Sequence, residues 1–178
     1  METPAQVFVA PNGDQYFGKV AGESEAGLGI TLGVLEEANS QCTYRGECTG
    51  NRLGPAGTYE WPSGNCYSGE YSVDTTEGIG VFEYTDGGWF AGAHKANRPV
   101  HGIVRNRAGH RTFERWGDDG SSCPSVPFDD SNPEHAAVFR AAQLAKASRV
   151  CLPRAQAASH TQTCGKCTPH FSRHMSDR

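Results

Sequence analysis

A ten-residue phrase returns three times in this chain, and its recurrence constrains the fold more than any single segment does. Residues 7–16 read VFVAPNGDQY and align without gaps on residues 58–67 (TYEWPSGNCY) and 81–90 (VFEYTDGGWF). Each copy holds an aromatic-bearing stretch suited to a strand, a polar turn with glycine, and an aromatic that opens the next strand. A hairpin this short cannot bury its apolar face alone and must stack on its neighbours. A repeat at fixed period therefore decides architecture before local propensity does. Such a design points to a scaffold or binding surface rather than to a reaction.

The anchor of each unit is an aromatic, any residue, then glycine: Tyr16 with Gly18, Tyr44 with Gly46, Tyr67 with Gly69 and Phe90 with Gly92. Successive anchors lie 28, 23 and 23 residues apart. A Gly-x-Gly signal sits inside the units at Gly27 and Gly29 and at Gly78 and Gly80. It decays to Pro55-Ala56-Gly57 in the second unit and to His101-Gly102-Ile103 in the fourth. Strand side chains alternate between faces, so an anchor aromatic and the glycine two places on share one face. The missing side chain leaves a slot for a neighbouring aromatic, and a recurring strand glycine argues for close approach or a bend. Tyr59 with Trp61, and Phe82 with Tyr84, pair likewise on the other strand of their units. Stacking then predicts two columns, one of Phe8, Tyr59 and Phe82 and one of Tyr16, Tyr44, Tyr67 and Phe90. Asn12-Gly13 and Asp86-Gly87 supply the backbone that a tight turn between strands needs. Glycine, at 22 of 178 residues, exceeds the usual ~7 per cent, as hairpin-dense β structure requires.

These units resemble the MORN repeat (membrane occupation and recognition nexus), which runs Tyr-x-Gly-Glu, then Gly-x-Gly, then Asp-Gly-x-x-Tyr. Tyr67 to Phe90 is the best match, with Glu70 after the anchor glycine as Glu47 is one unit earlier. The resemblance spans Val7 to Phe113. It departs in the first unit, which carries five extra residues, expected within Leu32 to Gln41. The fourth unit is out of phase by one and closes in Ala108-Gly109, which reads as the end of the array. The fold implied is mainly β: an elongated single-layer antiparallel sheet of stacked hairpins over residues 7–115, followed by a C-terminal helix and a flexible tail. The anchors with Tyr59, Trp61, Phe82 and Tyr84 are core residues, and some of them form a candidate binding groove. A single layer of hairpins leaves apolar surface uncovered, and such patches mark interaction sites.

Charge is partitioned along the chain. Residues 1–97 carry 13 acids and 4 bases, which argues against nucleic acid as a partner. Arg98, Arg105, Arg107, Arg111 and Arg115 then form a basic patch against Glu114 alone. It could meet lipid headgroups, acidic tubulin tails, or the chain's own Asp118, Asp119, Asp129 and Asp130. Neutralisation within the chain is the favoured reading. No apolar run exceeds four residues, as at Val7 to Ala10, so neither a transmembrane helix nor a secretory core is expected. The chain reads as intracellular, with its seven cysteines mostly as thiols.

Residues 116–130 form an acidic linker rich in breakers. Asp130 or Ser131 opens a helix over residues 131–152, with Pro133 in its first turn and Pro153 as its stop. Ala137, Val138, Ala141, Leu144, Ala145, Ser148, Cys151 and Leu152 make its apolar stripe, narrow enough to dock across the end of the sheet or onto another protein. Residues 153–178 form a basic tail. There Cys164, Cys167, His170 and His174 hold the donors of a tetrahedral zinc site. Only two residues separate the cysteine pair from the histidine pair, and no apolar mini-core surrounds them. The expectation is therefore no cofactor.

No nucleotide loop or nucleophile elbow occurs, and the chain is expected not to be an enzyme. Glu47 with Glu70, or His94 with His101, could be drawn as acid–base pairs, but their repeat-equivalent or strand-edge placement predicts solvent-facing structural roles. What the resemblance implies is a non-catalytic scaffold of a cytoskeletal assembly, foremost the ciliary or flagellar axoneme. It would be cytoplasmic, would bind partner proteins through the sheet groove and the helix, and could form a homodimer. The alternative is a membrane-proximal tether binding phosphoinositides or anionic lipid.

Overall fold

The computed structural model describes residues 6–24, 27–49, 52–147 and 161–163. Ten strands follow one another: β1 (Gln6–Val9), β2 (Gln15–Ser24), β3 (Gly27–Glu36), β4 (Thr43–Thr49), β5 (Arg52–Glu60), β6 (Cys66–Ser72), β7 (Thr75–Glu83), β8 (Trp89–Lys95), β9 (Arg98–Arg105) and β10 (Arg111–Arg115). Each pairs antiparallel with the next, so order in space is order in sequence. Two short strands extend the edges: β11 (Val126–Pro127) joins β10, and β12 (Thr161–Thr163) lies parallel to β1. A single helix among the described residues, α1 (Pro133–Ala147), follows the array. The molecule is mainly β, one open antiparallel sheet with a C-terminal helix.

Register explains the glycine pattern. Gly18, Gly33, Gly46, Gly57, Gly69, Gly80, Gly92 and Gly102 are successive cross-strand partners from β2 to β9, one unbroken row across the sheet. Each anchor ring lies over the two glycines of its own hairpin: Tyr16 on Gly18 and Gly33, Tyr44 on Gly46 and Gly57, Tyr67 on Gly69 and Gly80, Phe90 on Gly92 and Gly102. The slot is thus filled by the unit's own aromatic, not by a neighbour's. In the first unit Gly33 does this work, rather than Gly27 or Gly29. Four of the five extra residues consequently fall within the β2–β3 hairpin, before Gly33, and one in the turn after β3. The expected place, Leu32 to Gln41, fits the one in that turn and is corrected for the four that precede Gly33.

The two predicted columns merge into one row. Tyr16, Leu35, Tyr44, Tyr59, Tyr67, Phe82 and Phe90 are direct cross-strand partners in that order, and Phe8 is paired with Tyr16. In the second and third hairpins both strands offer a ring at the same height, whereas Leu35 faces Tyr16 in the first and Val104 faces Phe90 in the fourth; the glycine row fixes this register. Turns behave as the sequence predicts: Gly64 and Gly87 adopt φ of 88° and 86°, the left-handed region open to glycine. At the opposite end, side chains stitch the third hairpin to the second and the fourth to the third. The Leu53 N–H donates to Asp74 Oδ1 at 2.8 Å, and the Thr76 N–H donates to Asn97 Oδ1 at 2.7 Å.

The other face of the sheet carries α1. Asn132 caps it, its Oδ1 accepting from the Glu134 N–H at 2.9 Å, so the helix opens one or two residues later than expected, with Pro133 as its first residue. The buried residues are His135, Val138 and Ala142. Ala142 rests on Val81 and Ala91, while Val138 meets Ile103 and Phe113. Phe139 stacks on Trp89 with ring centroids 5.9 Å apart, and Lys146 pairs with Glu83. The predicted stripe is rotated: Leu144 is 72% exposed and Ala137 is exposed, whereas His135 and Ala142 face the sheet. The flat row of Val81 and Ala91 accepts a small residue at the closest approach, and Ala142 supplies it. Of the predicted helix, residues 148–152 lie outside the described residues.

Candidate functional site

The aromatic face is built by edge contacts. Tyr44 meets Tyr71, Tyr71 meets Tyr67, Tyr67 meets His94, His94 meets Phe90, and Phe90 meets Trp116. Every pair is T-shaped, at centroid separations of 4.9–5.5 Å. Edge-to-face pairs of this kind contribute roughly 0.5–1.5 kcal/mol beyond area burial. Tyr71 and His94 occupy the same offset, four residues after the anchors Tyr67 and Phe90, where Cys48 stands in the second unit. Sequence reading missed Tyr71 and put His94 at a solvent-facing edge, and that shared offset was the available signal. Beside this zigzag runs a second group: Tyr59 on Trp61 at 4.8 Å, Trp61 on Phe82 at 5.2 Å and Phe82 on Tyr84 at 4.9 Å. Tyr59 with Trp61 and Phe82 with Tyr84 share a face as expected.

Two of the ring hydroxyls serve the backbone and a third a carboxylate. Tyr44 OH donates to the Glu47 carbonyl at 2.7 Å, Tyr67 OH to the Glu70 carbonyl at 3.2 Å, and Tyr59 OH to Glu37 Oε2 at 3.0 Å. The Glu70 carboxylate accepts from the Ile79 N–H at 2.8 Å. That bond gives the Tyr-x-Gly-Glu and Gly-x-Gly pieces of the unit a physical link: the glutamate of one strand holds the glycine bend of the next. His94, expected at a solvent-facing strand edge, is instead buried between Tyr67 and Phe90. Burial lowers its pKa to about 4, against a smaller opposing pull from the Gly92 carbonyl. His101 pairs with Ala93, which places it on the opposite face of the sheet. The two histidines therefore do not meet.

At the C-terminal end of the array this face opens into a groove of about 850 Å³. Trp61, Tyr67, Phe82 and Tyr84 line one side, and Trp116 with the Gly117–Gly120 turn lines the other. The β8–β9 tip, Ala96 to Pro99, closes one end, with Thr76 and His94 also in the wall. Tyr84 is 39% exposed, a large ring open to solvent. Burial raises its phenol pKa, helped by the negative charge of Asp86 and Glu114. Thr76 Oγ1 and His94 Nδ1 are buried without a hydrogen-bond partner. The groove brings together Trp61, Tyr67, Phe82 and Tyr84 of the predicted residues. Tyr16, Tyr44 and Tyr59 lie further along the array with their rings buried, as do the slot glycines Gly18 and Gly46.

The basic patch does not act as one body. Arg115 forks onto Glu134, Nη2 donating at 2.7 Å to both oxygens, and its guanidinium lies 4.9 Å from the Phe113 ring centroid. This partner holds the Glu134 carboxyl below the usual range. Arg111 lies 3.7 Å from Asp130 and 4.5 Å from the Phe128 ring centroid. Arg105 Nη1 donates to the Gly87 carbonyl at 2.8 Å. Asp119 and Asp129 accept instead from Ser121 and Ser131 within their own turns. Intrachain pairing thus uses Asp130 and the helix residue Glu134, rather than all four aspartates of the linker.

Cys164, Cys167, His170 and His174 lie outside the described residues. Among the described residues no group of three or more His, Cys, Asp or Glu could hold a metal, and Cys42 and Cys123 are free thiols. No helix there is long and apolar enough to cross a membrane. No protein-family model matches the chain. Among curated proteins the chain is similar to Kunitz-type protein bli-5 of Haemonchus contortus, 27% identical over 120 residues, which is 67% of this chain and 58% of that protein. The chain therefore spans less than two thirds of the length of that relative, and the likeness assigns no family.

Proposed function

We propose that this protein is a non-catalytic MORN-type scaffold that docks partner proteins in the aromatic groove, as part of a cytoskeletal assembly. The ciliary or flagellar axoneme is the foremost candidate, with a cytoplasmic location. One observation carries the docking part of this reading: a groove walled by Trp61, Phe82, Tyr84 and Trp116, with Tyr84 open to solvent. Aromatic rings held rigidly by their neighbours give large contact area at low entropic cost, as hot spots of protein interfaces do. The cytoskeletal part rests on the repeat resemblance. The tether alternative draws on the arginine cluster, but Arg111 and Arg115 are engaged with Asp130 and Glu134, which leaves fewer free cations for a lipid surface.

Retention of tagged protein in a detergent-extracted cytoskeleton, lost when Trp61 and Tyr84 are both changed to alanine, is the expected result. Full release of the unaltered protein counts against the scaffold reading. Flotation with vesicles containing phosphoinositide would favour the tether instead.

A further inference from the structure

The groove is chemically lopsided. At the β8–β9 tip Arg98 lines it, and its side chain makes no ion pair or hydrogen bond among the described residues. Asp119 also lines it, and its Oδ1 is held in its own turn, accepting from Ser121 N at 2.9 Å and Ser121 Oγ at 2.6 Å. Two further wall residues at this end, Thr76 and His94, are 3% and 8% exposed, and their Oγ1 and Nδ1 have no partner. Asn97 spends its Oδ1 on the Thr76 N–H, which leaves its amide donors. Away from the tip the wall is aromatic, ending on Tyr84. An arginine without a partner presents a planar fork of donors matched to a carboxylate.

We propose that the groove takes an extended peptide segment of another protein, which sets an Asp or Glu side chain on Arg98 and lays a large apolar side chain against Trp61 and Tyr84. The unpartnered donor fork of Arg98 selects the acid, and the ring wall selects its neighbour. This rests on the docking reading above and specifies the chemistry of the partner.

The test is a random twelve-residue peptide library, displayed on phage and panned on the full chain, on Arg98→Glu, and on Trp61→Ala with Tyr84→Ala. The expected result is enrichment on the unaltered chain of peptides joining Asp or Glu to Trp, Phe or Leu a few residues away. A synthetic peptide from that pool should weaken about tenfold with Arg98→Glu, and equally when its own acid becomes the amide, from the strength of a charge-assisted hydrogen bond. Arg98→Lys should keep part of the affinity. Peptides without an acid preference, lost on the double alanine variant yet bound equally by Arg98→Glu, would overturn the carboxylate inference and leave the docking reading standing. No enrichment on the unaltered chain over the double alanine variant, as when its own residues or a second copy fill the groove, would sink both.

Discussion

Replacing Gly80 by alanine should unfold more of this protein's stability than its single methyl suggests. A Cβ at Gly80 would lie 2.5 Å from Tyr67 Cζ and 2.6 Å from Cε2, where carbon atoms rest at about 3.5–4.0 Å. The ring must therefore retreat by about 1 Å. It has nowhere to go: Tyr67 is fully buried, its edges meet Tyr71 and His94, and its hydroxyl is tied to the Glu70 carbonyl. Overpacking of a rigid core costs about 1–3 kcal/mol, and expelling an aromatic about 3–5 kcal/mol. A loss near 3 kcal/mol is expected, read as a lower urea midpoint at constant slope. The control is Gly87→Ala, where no atom lies within 4 Å but φ is 86°; its loss should be about 1 kcal/mol, from backbone strain alone. The decisive measurement is the cycle with Tyr67→Ala. If the ring is the obstacle, adding Gly80→Ala to Tyr67→Ala costs nothing further, and the coupling nearly equals the whole effect of Gly80→Ala. Simple additivity of the two losses, or a Gly80→Ala variant within ~0.5 kcal/mol of the unaltered chain, would refute the slot.

Three further outcomes follow from the same contacts. His94 has a folded pKa near 4 against about 6.5 unfolded, so the unfolded chain binds the extra proton between those values. Its contribution is complete above pH ~6.5, falls away as pH drops toward 4, and changes no further below; the total is about 3 kcal/mol. Chemical denaturation across that window should show a shallower decline in His94→Phe than in the unaltered chain, and parallel profiles would refute the burial of the imidazole. Ala142→Leu should lose about 1–3 kcal/mol by overfilling the contact with Val81 and Ala91, while Leu144→Ala should stay within ~0.5 kcal/mol because it is solvent-exposed; denaturant midpoints that reverse this order would put the other face of α1 on the sheet. Val73 sits at φ 48° in the β6–β7 turn and is 60% exposed. Val73→Asn should raise the melting temperature, since a β-branched residue there is strained by about 1 kcal/mol, and a lowered value would count against that backbone.

The legible part of the site was the part carried by residue type. Trp61, Phe82 and Tyr84 could be placed on one face from their spacing alone, because side chains in a strand alternate whatever the strand pairs with. His94 could not be placed so. Its residue type suggests an exposed, titrating group, and only the rings of Tyr67 and Phe90, brought to either side of it, make it part of the core. Arg115 and Glu134 are 19 residues apart in sequence, and Nη2 of the one donates to both oxygens of the other, which no local pattern announces. The helix face was misread because Val138 belongs both to the apolar stripe of Ala137 to Leu144 and to the face of His135 and Ala142 that packs. What selects between them is the flatness of Val81 and Ala91 beneath.

From its letters alone the chain fixed a serial set of hairpins, their turns and their anchor rings, since these follow from alternation, glycine geometry and a period, all local to one unit. Tertiary structure decided what lies between units: that Gly33 rather than Gly29 completes the first slot, that two expected columns are one row, and that the groove closes under Trp116. Those outcomes depend on register, and register is a relation between strands that only the assembled row of glycines imposes.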